Sequence, residues 1–152
     1  MFPDPEPLEP LLARLEGTEQ ALLGLGIPRC PACRLLPATL SALRAARPAL
    51  AVGIHLFAGP EDWLARESAL WPRGIRVSRS SVPVLVLLRG GEVVAQRPGS
   101  APAHVLDAWL TEALGPAQRP LAASLTPGEE ATLDAMAARR GQHDQIRSRD
   151  SG

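Results

Sequence analysis

An α/β fold is predicted for this chain by two observations. Apolar runs of strand length alternate with stretches of helical periodicity along the first three quarters of the sequence. Between one such run and one such helix lies Cys30-Pro31-Ala32-Cys33, which holds both cysteines of the protein. A turn at that spacing can bring the two sulfurs into a small disulfide ring, and it can expose the first thiol at the opening of a helix. Strand, C-x-x-C, helix is the context in which the motif reads as a redox centre.

Composition narrows the classes. The chain has 152 residues and 45% are hydrophobic, which fits one domain with an appendage and excludes global disorder. Sixteen basic and sixteen acidic residues cancel, so the clustered basic excess of a nucleic-acid partner is missing. Every basic residue is Arg and none is Lys, which excludes lysine Schiff-base chemistry. The start, Met1-Phe2-Pro3-Asp4-Pro5-Glu6-Pro7, has no basic region and no apolar core. No run approaches the roughly 20 apolar residues of a membrane span. A soluble, cytoplasmic protein with no membrane partner is expected. In a reducing compartment two cysteines are not expected to be a structural staple.

Taken in order, residues 1–7 read as an extended segment, since alternating prolines forbid a helix. Leu8, Leu11, Leu12 and Leu15 mark one face of a helix that Gly17 ends. Residues 20–27 form a short apolar run, interrupted by Gly24 and Gly26, and read as a buried strand. A helix is expected over about 31–46, with Pro37 inside it producing a kink. Residues 50–57 are a second strand, with Val52, Ile54 and Leu56 on one face and His55 and Phe57 on the other. Gly59-Pro60-Glu61-Asp62 opens a helix to about Leu70, with Pro in its first turn and acids at the positive end of its dipole. That helix presents Trp63, Leu64, Glu67, Leu70 and Trp71, and Pro72 stops it.

A connector with a short extended piece at 75–77 leads to the strongest strand signal, Val82-Pro83-Val84-Leu85-Val86-Leu87-Leu88. Arg89-Gly90-Gly91-Glu92 is a hairpin turn, and residues 92–97 return antiparallel. Ser100 is a candidate N-cap for a helix over about 101–114. Thr126-Pro127-Gly128-Glu129-Glu130 predicts a further short helix, about 127–140, and a disordered tail over 142–152. The domain therefore spans 8–115, with 116–152 as a C-terminal extension.

Pro83 opens the best strand although proline cannot donate a ladder bond. A cis peptide bond at Val82-Pro83 would turn the Val82 N–H and C=O outward, free to pair with an extended substrate. With this the order of elements resembles the thioredoxin family. Cys30-Pro31-Ala32-Cys33-Arg34 is similar to its active-site run. Gly74-Ile75-Arg76 ahead of Ser81-Val82-Pro83 is similar to the approach to its cis-proline. Leu88-Arg89-Gly90-Gly91-Glu92-Val93 followed by Gly99 resembles its last hairpin. The resemblance covers residues 8–115 and implies a three-layer α/β/α sandwich around a central mixed sheet. The sequence departs from the family pattern at Arg29, where the family has Trp, and at Gly24, where it has a buried Asp. The family's Lys on the next strand is also absent, and His55 lies nearby in the pattern.

The resemblance implies thiol–disulfide exchange; a disulfide reductase is expected, while Pro31-Ala32 between the cysteines does not tell a reductase from an oxidase. Cys30 would be the nucleophile, favoured by a helix N-terminus and by Arg29. Cys33 would resolve the mixed disulfide, and Val82, Pro83 and Arg29 would bind substrate. The partners would be a disulfide-containing protein or small thiol and an electron donor; no cofactor or metal is expected. Two other readings stay open: a thioredoxin-fold binding module with an idle dithiol, and a dimer holding zinc through four thiolates. His55 is expected at the core edge. Trp63, Trp71 and Trp109 are expected to pack helix on sheet.

Overall fold

The computed structural model describes residues 2–78 and 81–121. Eight regular elements follow one another: α1 (Leu8–Glu16), β1 (Gln20–Gly26), α2 (Leu36–Ala46), β2 (Ala51–Leu56), α3 (Pro60–Leu70), β3 (Val84–Arg89), β4 (Glu92–Pro98) and α4 (Ala103–Leu114). Two 3-10 turns, Cys33–Leu35 and Trp71–Arg73, precede α2 and follow α3.

The four strands form one mixed sheet in the order β2-β1-β3-β4. β1 runs parallel to β2 and antiparallel to β3, and β3 is antiparallel to β4. Helices cover both faces. Leu8, Leu11, Leu12 and Leu15 of α1 and Trp63 and Leu70 of α3 pack on Leu23, Leu25, Val84 and Val86. Leu36, Leu40 and Leu43 of α2 and Leu106 and Leu110 of α4 pack on Leu22, Val52, Ile54, Leu85 and Leu87. Successive side chains of a strand point to opposite faces, so β1 and β3 serve both cores and are apolar nearly throughout. This is the three-layer sandwich that the resemblance implies. At the hairpin both Gly90 and Gly91 take positive φ, 59° and 84°, a conformation that L side chains resist.

The N-terminal segment covers an otherwise open edge. Pro5 bridges Ile54 in parallel, and the Glu6 N–H donates to the Ile54 carbonyl at 2.8 Å. Arg14 of α1 donates to the Val52 carbonyl at 3.0 Å and pairs with the Glu6 carboxylate. The outer backbone of β2 is thereby withdrawn from edge pairing.

Several sequence expectations are corrected. Pro37 does not kink a helix. The chain leaves Cys33 as a 3-10 turn and α2 begins only at Leu36, so Pro37 lies in the first turn, where its missing N–H has no partner to lose. Ser100 is not a cap. The residue before a proline is disfavoured in helical conformation, so α4 starts beyond Ala101, with Pro102 as its N-cap. The β3 ladder starts at Val84, two residues later than the apolar run. No strand forms at 75–77; Ile75 is buried there, its N–H on the Leu70 carbonyl. Trp71 does not pack helix on sheet. It falls on the 3-10 turn ahead of Pro72, is 50% exposed, and carries the Arg76 guanidinium 5.6 Å above its ring. Leu64 lies on the outer face of α3, exposed. The helix expected at 127–140 and the tail after it lie outside the described residues.

One buried cation ties the α2/α4 layer. Arg47 ends α2 and is only 2% exposed. Its Nε donates to Asp107 Oδ1 at 3.0 Å, Nη1 to the Gly115 carbonyl at 2.8 Å and Nη2 to Thr111 Oγ1 at 2.9 Å. The guanidinium thus meets a carboxylate and the negative end of α4 together. The chain beyond α4 turns back to the same place, the N–H groups of Gln118 and Arg119 both donating to the Ala46 carbonyl. The Asp107 side chain is 23% exposed, so removing Arg47 loses charge-assisted hydrogen bonds without stranding a fully buried charge, a cost of about 1.5–3 kcal/mol. Arg47→Met is expected to lower unfolding free energy by about that much in urea titration. Arg47→Lys should recover little, since one ammonium cannot span three acceptors.

Candidate dithiol active site

The site begins where the central strand ends. β1 is buried from Ala21 to its last residue, Gly26. Four residues later the chain reaches Cys30 in a tight turn: the Cys30 N–H donates to the Ile27 carbonyl at 3.4 Å, and the Arg34 N–H reaches the Cys30 carbonyl at 3.3 Å. Cys30 is half-buried and Cys33 is buried, and both are free thiols. Cys33 lies back against the strand. A Cβ built on Gly26 would fall 2.8 Å from Cys33 Sγ, closer than real side chains approach, so only glycine lets the second cysteine sit there.

The two sulfurs interact. The Cys33 N–H donates to Cys30 Sγ at 3.2 Å. Burial pushes the Cys33 thiol up to about 12, and its hydrogen bond to the Cys30 sulfur adds to the rise. Cys33 is therefore a protonated thiol at neutral pH, held beneath a more accessible Cys30. Such a pair can transfer two electrons by closing a disulfide, and it can be reopened by an external thiol.

The antiparallel register brings Pro83 to the same place. Gly24 pairs with Leu85 and Leu25 with Val84, so continuing the register sets Pro83 opposite Gly26, the glycine under Cys33. The Val82-Pro83 bond is cis. The Pro83 carbonyl accepts from the Gly99 N–H at 2.7 Å. Among the described residues the Val82 N–H and C=O take part in no hydrogen bond. Cys30, Cys33, Val82 and Pro83 are thus gathered at one end of the sheet.

Arg29 stands exposed beside Cys30 and makes no ion pair among the described residues. It lines a cavity of about 340 Å³ with Ile27, Pro28, Phe57, Ala58, Gly59, Pro60 and Trp63. Sequence reasoning missed this cavity, because its two walls, the loops after β1 and β2, are far apart in the chain. It also treated Gly24 and Gly26 as interruptions. Their spacing of two was the available signal, for it puts both on the face that receives α2. A Cβ at Gly24 would lie 3.2 Å from Leu36, so the position where the family carries an acid is packed by leucine.

His55 is not part of the dithiol cluster. It is buried on the α1 side, its Nδ1 2.8 Å from the Glu6 carbonyl and its ring edge-on to Phe57. The carbonyl can only accept, so Nδ1 carries the proton, and among the described residues Nε2 is left buried without a partner. Among the described residues no three His, Cys, Asp or Glu side chains are grouped to hold a metal, and no helix is long and apolar enough to cross a membrane.

No family model matches the chain, and no curated protein matches it. Solved structures do. A mutant thioredoxin from Halobacterium salinarum NRC-1 is 21% identical, with 71% of this chain and 86% of that one covered at a TM-score of 0.54. Desulfothioredoxin from Desulfovibrio vulgaris Hildenborough, in its reduced form, is 24% identical, with 66% and 88% covered at 0.52. Mitochondrial thioredoxin 3 from Saccharomyces cerevisiae, in its oxidised form, is 15% identical, with 69% and 89% covered at 0.51. The mixed four-stranded sheet between two helical layers, the C-x-x-C after the central strand and these likenesses together show that the chain has a thioredoxin-like fold.

Proposed function

We propose that the protein is a thiol–disulfide oxidoreductase that reduces disulfides with Cys30 and Cys33. The observation that carries this reading is the stacked pair itself: an accessible sulfur on a turn, with a buried thiol whose N–H donates to it at 3.2 Å. Cys30 is half-buried above a buried Cys33 whose close seat on β1 requires Gly26, an arrangement that suits attack by one sulfur and resolution by the other.

In the reaction, the Cys30 thiolate attacks one sulfur of the substrate disulfide. The Cys30–substrate S–S bond forms, the substrate S–S bond breaks, and the departing thiolate takes a proton. Cys33 then loses its proton and attacks the Cys30 sulfur, closing the Cys30–Cys33 disulfide and releasing the second substrate thiol. Two electrons have passed to the substrate, and a dithiol electron donor restores the reduced pair. The unpaired Val82 backbone supports a role in holding an extended substrate as an added strand, beside Pro83. Arg29 adds a positive charge next to the attacking sulfur. The cytoplasmic setting expected from the sequence belongs to this reading; among the described residues no helix is long and apolar enough to cross a membrane.

Three outcomes test this. The protein should catalyse dithiothreitol-dependent precipitation of insulin, and Cys33→Ser should trap a mixed disulfide through Cys30; failure to trap one removes the assigned roles. Gly26→Ala pushes a methyl into Cys33 and should cost about 1–3 kcal/mol of stability, with a slower resolving step in single-turnover kinetics. The third outcome concerns pH. Cys33 keeps its proton in the fold to about 12, whereas an unfolded cysteine releases it near ~8.5. This raised value contributes stability that is whole below about pH 8.5 and is lost as pH climbs toward 12. The chain has no Tyr and no Lys, so neither side chain titrates in that range. Stability of the reduced protein should decline over that interval, and Cys33→Ser should flatten the decline.

A further inference from the structure

Apart from Arg29, the residues lining the cavity have no part in the exchange chemistry described above, yet that arginine directly precedes the attacking cysteine in the chain. The cavity lies between the loops that leave β1 and β2, at the carboxyl ends of two parallel strands, where open α/β sheets commonly receive ligands. The strand order β2-β1-β3 puts it on the β2 side of the dithiol, whereas Val82 and Pro83 lie on the β3 side. A substrate strand held at Val82 would therefore cross Cys30 before reaching it.

Its chemistry is specific. Phe57 and Trp63 stack at 4.3 Å with their rings tilted by 44°, and Ile27 completes an apolar wall. Among the described residues Arg29 is the single charged one of the lining. The nearby Asp62 carboxylate does not neutralise it, being engaged by the Ala58 N–H at 2.9 Å and by Arg66 Nε at 3.2 Å. At about 340 Å³ the space is at the small end of ligand pockets. It suits one aromatic side chain, whose ring can meet Phe57 and Trp63 edge or face, with a carboxylate at the mouth.

Resting on the dithiol reading, we propose that this cavity is a side-chain subsite and that the preferred substrates are disulfide peptides bearing an aromatic residue and a carboxylate next to the reacting cysteine. The aromatic ring enters the cavity and the carboxylate pairs with the Arg29 guanidinium, in the forked geometry that arginine offers to carboxylates. The bonds made and broken are those of the exchange already given; the subsite alters only which disulfide is presented to Cys30.

The test is a panel of four disulfide peptides that differ only at the two residues flanking the cysteine: Phe with Glu, Phe with Lys, Ala with Glu, Ala with Lys. Rates are corrected for reduction of each peptide by dithiothreitol alone. The Phe–Glu peptide should be reduced at least about tenfold faster than the Ala–Lys peptide. Arg29→Gln should abolish the preference for Glu over Lys and keep the preference for Phe. Gly59→Leu should do the reverse, because it adds bulk at the cavity wall where a Cβ meets nothing within 4 Å and the backbone is extended. Equal rates for all four peptides, or preferences unchanged in both variants, would overturn the subsite while leaving the dithiol reading intact. No reduction of any peptide or of insulin would overturn the dithiol reading, and the subsite's role with it.

Discussion

The structure depends on how closely Cys33 and α2 can approach the central strand. β1 is flanked by β2 and β3 and covered on both faces, so it is buried from Ala21 to Gly26. On the α1 side it shows Ala21, Leu23 and Leu25. On the α2 side it shows Leu22 and then two glycines. Protein interiors pack at the density of organic crystals, and the gap left by each missing side chain is filled from above: Leu36 over Gly24, Cys33 over Gly26. The position of the second sulfur is therefore a packing consequence of the strand, and the position of the first follows from a short turn anchored to it.

Two devices keep that strand central. Arg47 joins the end of α2 to the end of α4 through buried hydrogen bonds, which fixes the layer that presses α2 onto the sheet. On the opposite edge the Pro5–Glu6 segment pairs with β2, and Arg14 holds it there. Glu6 thereby has two tasks, one through its backbone to Ile54 and His55, the other through its carboxylate to Arg14. The buried His55 ring owes its tautomer to this strap. It serves the packing of α1 on the sheet and stands apart from the sulfurs.

The electrostatics of the dithiol are correspondingly spare. What acts on Cys33 is burial, the Cys30 sulfur and backbone N–H groups; no carboxylate is among the groups that shift it. With leucine over Gly24, the interior beneath the sulfurs is apolar, which by itself opposes charge on the inner thiol. The full charges of the surroundings lie outward, Arg29 before Cys30 and Arg34 after Cys33, both exposed. An inner sulfur kept neutral by burial beneath a half-buried outer one is an asymmetry built from position alone.

Local sequence determined most of the elements. Leu8, Leu11, Leu12 and Leu15 are all fully buried on α1, as their 3.6-residue period requires. Pro60 with two acids starts α3, and Gly90-Gly91 turns the hairpin. The C-x-x-C, Val82-Pro83 and Arg29 were legible as a group only through their order along the chain. Sequence misjudged those points at which neighbours compete: Pro37 against the 3-10 turn, Ser100 against Pro102, Trp71 against Pro72. What the sequence by itself determined is which residues prefer helix, strand or turn, because those preferences arise within a few residues. The tertiary structure alone decided that Gly26 is the seat of Cys33, that Arg47 is a buried tie, and that the loops after β1 and β2 enclose a cavity next to Cys30. Each of these is a meeting of segments distant in the chain, and only packing sets the distances between them.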